Sequence, residues 1–163
     1  MPYRLLLRDF DRRDPLLTNI VDHVQNAIPA FSSFGLSEWG TAAVLRKYGW
    51  HSVKGTYLIE TYPPAVAEYL GHRCGGGDVL GECDGKRLGV EVSNHAWAGK
   101  CLQDIVKLSC ADVTYRMVVW NAKWESTINR LETFRIPIAI QSVVVVTRDY
   151  VREATSTTNM QYQ

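Results

Sequence analysis

Residues 77–94, GDVLGECDGKRLGVEVSN, decide the fold of this chain. Asp84 and Gly85 lie between two runs in which apolar and polar residues alternate, and this is the strongest local signal for a β-hairpin. A two-residue turn there sets Asp78 opposite Glu91, and a four-residue loop with the same centre gives the same pairing. A three-residue loop would shift the pairing by one residue. The stretch therefore predicts a hairpin in which two acidic residues face each other.

In this register the hairpin has one apolar face and one polar face. The apolar face, predicted to lie on the core, carries Val79, Gly81, Cys83, Leu88, Val90 and Val92, with Lys86 at its rim. The opposite face is polar except at Leu80 and carries Asp78, Leu80, Glu82, Arg87, Gly89, Glu91 and Ser93. Glu82 and Arg87 are predicted to pair as opposite charges, which is ordinary stabilisation of a sheet. Any chemistry of the hairpin is therefore expected on the polar face.

Asp78 and Glu91 are like charges on this polar face. Directly opposite residues of an antiparallel pair have Cβ atoms about 5 Å apart, and like charges there are destabilising. A divalent cation resolves the repulsion, because Mg²⁺ typically takes one or two carboxylates and fills its other positions with water and phosphate oxygens. The alternative is that both acids face water on an exposed sheet face. Gly89, next along the face, either lets a ligand approach closely or leaves room for Leu80.

Outward from the hairpin, periodicity and turn residues predict the remaining elements. Helices are predicted over residues 15–28, 37–48, 65–72, 97–111 and 122–134, and strands over residues 51–60, 112–120 and 138–148. The strand over residues 138–148 is the most apolar and is predicted to lie inside the sheet. The fold class is therefore α/β, a mixed central sheet flanked by helices. We expect a single domain over residues 1–163. Its predicted parts are an N-terminal strand and helix extension (1–35), a core (37–148) and a frayed, flexible polar tail (153–163).

Composition and charge restrict the class of protein. The chain has 163 residues, of which 46% are hydrophobic and 21% charged, and this suits one globular domain. Its formal net charge of +1 argues neither for nor against a nucleic-acid partner. No apolar stretch is long enough to span a membrane, and the first residues lack the apolar region of a signal peptide. We therefore expect an intracellular, cytoplasmic protein with no membrane partner.

The spacing of the cysteines does not indicate a particular metal site or disulfide pattern. Cys74, Cys83, Cys101 and Cys110 lack the short C-x-x-C spacing of a zinc site, so buried free thiols are predicted. Zinc bound with the help of His72, or a disulfide, remains an alternative.

Residues 77–120 resemble the core of the PD-(D/E)xK, or restriction-endonuclease-like, nuclease superfamily. Members carry an Asp at the start of one hairpin strand and an (Asp/Glu)-x-Lys on the next, followed by a helix and another strand. Asp78 and Glu91 match the two acids, and Glu38 matches the acid that many members carry on an upstream helix. Gly77 stands where members have proline, and Ser93 stands at the lysine position.

The resemblance implies a role for several residues. Some members carry the lysine on the following helix, and Lys107 in QDIVKL is the candidate here. Gln103, one turn earlier on the same helical face, is expected to contact the substrate or orient that lysine. The carbonyl of Val92 is implied as a further metal ligand beside Asp78 and Glu91.

The implied activity is hydrolysis of phosphodiester bonds with Mg²⁺ or Mn²⁺ as cofactor. In that mechanism Lys107 positions or deprotonates a water or offsets charge on the phosphate, and the Ser93 hydroxyl holds a water. The expected partner is nucleic acid, with DNA favoured and RNA left open as an alternative, and a homodimer that cuts both strands is one arrangement. The alternative is a catalytically inactive nuclease-fold module that binds nucleic acid or a protein partner.

Overall fold

The computed structural model describes residues 3–31, 34–54, 58–93, 98–123, 131 and 134–157. The strands in these ranges are β1 (Tyr3–Asp9), β2 (His51–Lys54), β3 (Leu58–Ile59), β4 (Gly75–Gly76), β5 (Val79–Cys83), β6 (Lys86–Ser93), β7 (Tyr115–Trp120), β8 (Arg135–Ile136), β9 (Val143–Val146) and β10 (Val151–Ser156). The helices in the same ranges are α1 (Pro15–Ala27), α2 (Phe34–Lys47), α3 (Pro64–Leu70) and α4 (Ala98–Ser109), with a 3₁₀ turn (Ile28–Ala30) after α1.

A mixed sheet forms the centre of the fold, as predicted. Within the described ranges it has eight strands in the order β2-β5-β6-β7-β9-β10-β1-β8, and β3 and β4 pair separately. The pairing of β6 with β7 and of β7 with β9 is parallel, whereas the other pairs are antiparallel. The chain passes from β6 to β7 through α4, which is the helical crossover that a parallel pair requires.

The hairpin has the predicted register. Leu80 pairs with Gly89 and Glu82 with Arg87, so the pairing continues to place Asp78 across from Glu91. Asp84 (φ 51°) and Gly85 (φ 76°) both adopt the left-handed conformation, which a two-residue turn of type I′ needs. Because this turn has the twist of the flanking strands, it holds the register on which the acidic pair depends.

Helices cover both faces of the hairpin. On one face α1 and α2 contribute to an apolar cluster with the residues predicted for the core face, namely Val79, Leu88, Val90 and Val92. On the other face α4 packs through Leu102, Ile105 and Leu108 in a cluster that includes Leu80. The alternative of an exposed sheet face is therefore wrong, because the apolar stripe of α4 lies against it.

Strand β9 is interior, as its composition predicts. It lies between β7 and β10, and its valines are all buried. The predicted strand over residues 51–60 is instead divided between β2, which pairs with β5, and β3, which pairs with β4. The helix predicted over residues 122–134 falls largely outside the described residues.

The prediction of a frayed tail from Glu153 is wrong for residues 153–156. They belong to β10, which lies between β9 and β1, and Glu153 is only 6% exposed. The polar sequence is buried because Arg8, the backbone N–H of Asp11 and Ser142 all donate hydrogen bonds to the Glu153 carboxylate. β1 likewise lies inside the sheet, and residues 158–163 lie outside the described ranges.

A membrane-spanning helix is not found in the part of the chain that the structure describes, where every helix is too short or too polar to cross a bilayer.

Candidate active site

Asp78 and Glu91 meet at one end of the hairpin. Asp78 lies just before β5, and its Oδ2 accepts a hydrogen bond of 2.9 Å from the backbone N–H of Val92. Asp78 is half-buried, whereas Glu91 is only 2% exposed. The alternative in which both acids face water is therefore wrong for Glu91.

The two carboxyl groups interact directly. The pKa of Asp78 is raised to about 7, chiefly by burial and then by a hydrogen bond with the Glu91 carboxyl and by the charge of Glu91. The Val92 N–H and the charge of Lys107 act in the opposite direction. Two neighbouring carboxyls in a partly dry site cannot easily both be ionised, so Asp78 keeps a proton close to neutral pH.

Lys107 lies in the last turn of α4 and reaches the same acids. Its Nζ is 2.6 Å from Oε1 of Glu91, and the two side chains are 18% and 3% exposed. Lys107 is therefore not a surface lysine, because α4 packs across the polar face of the hairpin and directs Lys107 into it. Its catalytic role stays a prediction.

Ser93 and Val92 complete the end of β6. Ser93 is 2% exposed and lies two residues beyond Glu91, so it shares the face of the strand that carries Glu91. A strand residue points its N–H and its C=O to the same side. Because the Val92 N–H points to Asp78, the Val92 carbonyl points to the same side and is available as an oxygen donor. Gln103 is half-buried in α4, one turn before Lys107.

Glu38 is buried in α2, on the other side of the sheet from α4. Three contacts place this part of α2 at the carboxyl end of β6. A Cβ added to Gly40 would lie 2.2 Å from the Phe31 ring, and the Phe31 carbonyl accepts a hydrogen bond of 2.6 Å from the Asn121 side chain. The Asn121 N–H in turn donates to the Ser93 carbonyl at 3.0 Å. The structure thus brings Asp78, Glu91 and Lys107 together and leaves Glu38 in the opposite helical layer.

Lys100 and Asp104 are neighbours of the site that the sequence reading missed. Lys100 Nζ lies 2.6 Å from Oδ1 of Asp104, which is 2% exposed. Burial raises the pKa of Asp104 to about 6, Lys100 lowers it, and the charge of Asp78 raises it. Helical spacing places positions 100, 104 and 107 on one face of α4. The sequence could therefore have indicated that Lys100 and Asp104 lie near Lys107.

Tyr62 is a third residue that was missed. It is 2% exposed and lies between β3 and α3, and its hydroxyl has no hydrogen-bond partner within the described residues. Burial, and then the charge of Glu91, raise the pKa of Tyr62 to about 12. No local sequence pattern indicates its position, because the loop that carries it reaches the site only through the pairing of β3 with β4.

The donor set suits a hard cation. Mg²⁺ and Mn²⁺ bind oxygen ligands, and Mg²⁺ needs only one or two carboxylates because it keeps several waters. Asp78, Glu91 and the Val92 carbonyl are such a set. Within the described ranges the structure contains no group of three or more His, Cys, Asp and Glu side chains arranged to hold a metal ion.

The cysteines are free thiols in the structure. Cys101 is buried, as predicted, but Cys74 is exposed, and Cys83 and Cys110 are intermediate. Next to Cys74, the Nδ1 of His72 lies 2.8 Å from the Cys74 carbonyl oxygen, so this ring nitrogen contacts the backbone.

Comparison with protein-family models, curated proteins and solved structures finds no match for this chain. The comparisons neither support nor contradict the resemblance to the PD-(D/E)xK nucleases.

Proposed function

We propose that the protein is a Mg²⁺-dependent nuclease that hydrolyses phosphodiester bonds in DNA, built on a restriction-endonuclease-like core. The observation that carries the proposal is the contact of 2.6 Å between Lys107 and Glu91, with Asp78 facing the same glutamate. Two acids from a hairpin and a lysine from the next helix meet although Ser93 occupies the usual lysine position. The order of helix α2, strand β2, hairpin β5–β6, helix α4 and parallel strand β7 also supports the core, with β3, α3 and β4 inserted between β2 and the hairpin.

Each residue has a definite task in this proposal. Asp78, Glu91 and the Val92 carbonyl would hold Mg²⁺, which would supply activation of water and stabilisation of phosphate charge. The Lys107 ammonium group donates a hydrogen bond to a phosphate oxygen and offsets the charge that develops in the transition state. The Ser93 hydroxyl, on the same face as Glu91, holds a water.

Two residues have supporting tasks. Gln103 contacts the substrate or orients Lys107, because it lies one turn earlier in α4. Glu38 lies in α2, at the end of the sheet where β6 finishes. Its proposed task is that of the acid that many members carry on the upstream helix.

A second candidate is a nuclease-fold module that binds nucleic acid or a protein partner without cutting. The observation that favours it is that Oε1 of Glu91 is already engaged by Lys107, so a cation would have to compete with a 2.6 Å ion pair. The serine at position 93 also fits this candidate, because a hydroxyl cannot replace the charge of a lysine.

Cleavage of supercoiled plasmid separates the two candidates. The wild-type protein is incubated with Mg²⁺, Mn²⁺ or EDTA beside Asp78→Asn, Glu91→Gln and the matched control Glu82→Gln, an exposed acid on the same hairpin. We expect metal-dependent cleavage that falls at least about 100-fold in the first two variants and stays unchanged in the control. Linear product without a nicked intermediate would support a homodimer. Metal-independent DNA binding without cleavage would support the second candidate.

A further inference from the structure

Tyr62 has a buried hydroxyl group that the proposed mechanism does not use. The residue is 2% exposed, and in the described part of the chain its hydroxyl lacks a hydrogen-bond partner. Buried polar groups in proteins are nearly always satisfied, so an exception calls for a water, an ion or a ligand that completes it. The Tyr62 hydroxyl is therefore a donor whose acceptor is a water, an ion or a ligand.

The hydroxyl lies next to Lys107. A Cβ added to Gly75 would lie 2.2 Å from the Tyr62 hydroxyl oxygen and 3.4 Å from Cε of Lys107. Gly75 thus leaves open the small space in which the phenol and the end of the lysine approach each other. The charge of Glu91 also acts on Tyr62, which puts the phenol within the electrostatic range of the acidic pair.

The surroundings of Tyr62 hold it in place. Its backbone N–H donates a hydrogen bond of 2.8 Å to the Arg73 carbonyl, and its ring packs against His72 with centroids 5.5 Å apart. Pro63 follows directly as the cap of α3, which begins with Pro64. The hydroxyl is therefore a preorganised group, which is the property that makes a hydrogen-bond donor effective in catalysis.

The acceptor can be deduced from the neighbours. A lysine ammonium group has donors only, so it cannot accept a hydrogen bond from the phenol. An oxygen anion that sits beside Lys107 satisfies the ammonium group and the phenol at once. We propose that the Tyr62 hydroxyl is a catalytic residue that, together with Lys107, donates a hydrogen bond to a phosphate oxygen of the substrate. This inference rests on the proposed nuclease function.

The direct test is Tyr62→Phe with Tyr69→Phe as its matched control. Tyr69 lies in α3 and packs against the same apolar cluster, and burial raises the pKa of its phenol to about 12 as well. We expect Tyr62→Phe to lower kcat about 100-fold, at the lower end of the range seen for loss of one preorganised donor. Its melting temperature should not fall, because the lost hydroxyl has no partner among the residues that the structure describes. Equal rates in the two variants would overturn the inference.

A second readout separates this inference from the proposed function. Binding of a short DNA duplex is measured in Ca²⁺, which occupies oxygen sites without requiring turnover, for the wild type and both variants. If the wild type binds but never cleaves, and Tyr62→Phe alone binds more weakly, the nuclease function fails while the phosphate contact stands. A Tyr62→Phe variant that changes neither the binding nor, where the wild type cleaves, kcat overturns the contact. A wild type that neither cleaves nor binds overturns both.

Discussion

Nζ of Lys107 lies 2.6 Å from Oε1 of Glu91, in a pair whose side chains are 18% and 3% exposed. This contact joins the last turn of α4 to strand β6 of the central sheet. The ammonium group faces the Glu91 carboxyl, and Asp78 is the member of the acidic pair whose pKa is raised, to about 7. Near neutral pH the site therefore contains Asp78 in both its protonated and its ionised form.

Removal of the lysine charge is expected to destabilise the fold. Lys107→Met leaves Glu91 buried without its cation, and loss of one partner of a buried ion pair costs roughly 3 kcal/mol. Lys47→Met is the matched control, because Lys47 is an exposed lysine in the last turn of α2. The free energy of unfolding in urea is measured for the wild type and both variants. Equal stabilities would contradict a buried ion pair.

Stability is expected to fall with rising pH because of Asp78. Its pKa is raised from 3.8 to about 7, so below about pH 4 the residue is protonated in both the folded and the unfolded chain. As the pH rises towards 7 the unfolded chain loses this proton first, and the favourable contribution is lost as the pH passes through the folded pKa.

Asp78→Asn removes this pH dependence. We expect the variant to gain stability relative to the wild type between pH 4 and pH 8, measured by urea unfolding at several pH values. Asp104, whose pKa burial raises to about 6, adds a slope of the same sign that the variant leaves in place. A constant difference between the two proteins across this range would contradict the assignment.

Mg²⁺ is expected to raise the melting temperature more at pH 8 than at pH 5.5. A cation binds the ionised form of Asp78, and at the lower pH that carboxyl group carries a proton. Ligand at 100 times its Kd stabilises a fold by about 2.7 kcal/mol. Differential scanning fluorimetry without nucleic acid measures the shift. Glu91→Gln should abolish it, and a shift of equal size at both pH values would argue against these ligands.

Glu153 is expected to be a major stabilising residue of the sheet. Burial alone would raise the pKa of Glu153, but hydrogen bonds from Asp11, Arg8 and Ser142 outweigh burial and lower it. Its stabilisation is therefore present above the unfolded pKa and is lost as the pH falls through the folded one. Glu153→Ala should cost about 2–3 kcal/mol at pH 7, because three donors lose their acceptor. The exposed Glu68→Ala should change the free energy of unfolding far less, and a matching effect would contradict this role.

The sequence predicted those parts of the molecule that depend on neighbouring residues. The hairpin register follows from the turn at Asp84 and Gly85 and from local alternation, and the structure has it as predicted. Lys107 could be predicted as a site residue because the periodicity of its helix shows which residues share a face. Long-range contacts were not predictable in this way. Glu153 is buried because Arg8 reaches it from the other end of the chain, and Tyr62 enters the site through strand pairing that no local pattern encodes.

The pairing of β1 with β10 has a consequence for the order in which the protein can assemble during synthesis. Residues Leu5 and Ser156 are partners, so the first strand waits for the last before its side of the sheet can form. Until then the four valines of β9 present an open apolar edge to other nascent chains. Docking of β10 therefore covers that edge and links β9 to β1, so the strand that shields the valines is also the one that brings β1 into the sheet.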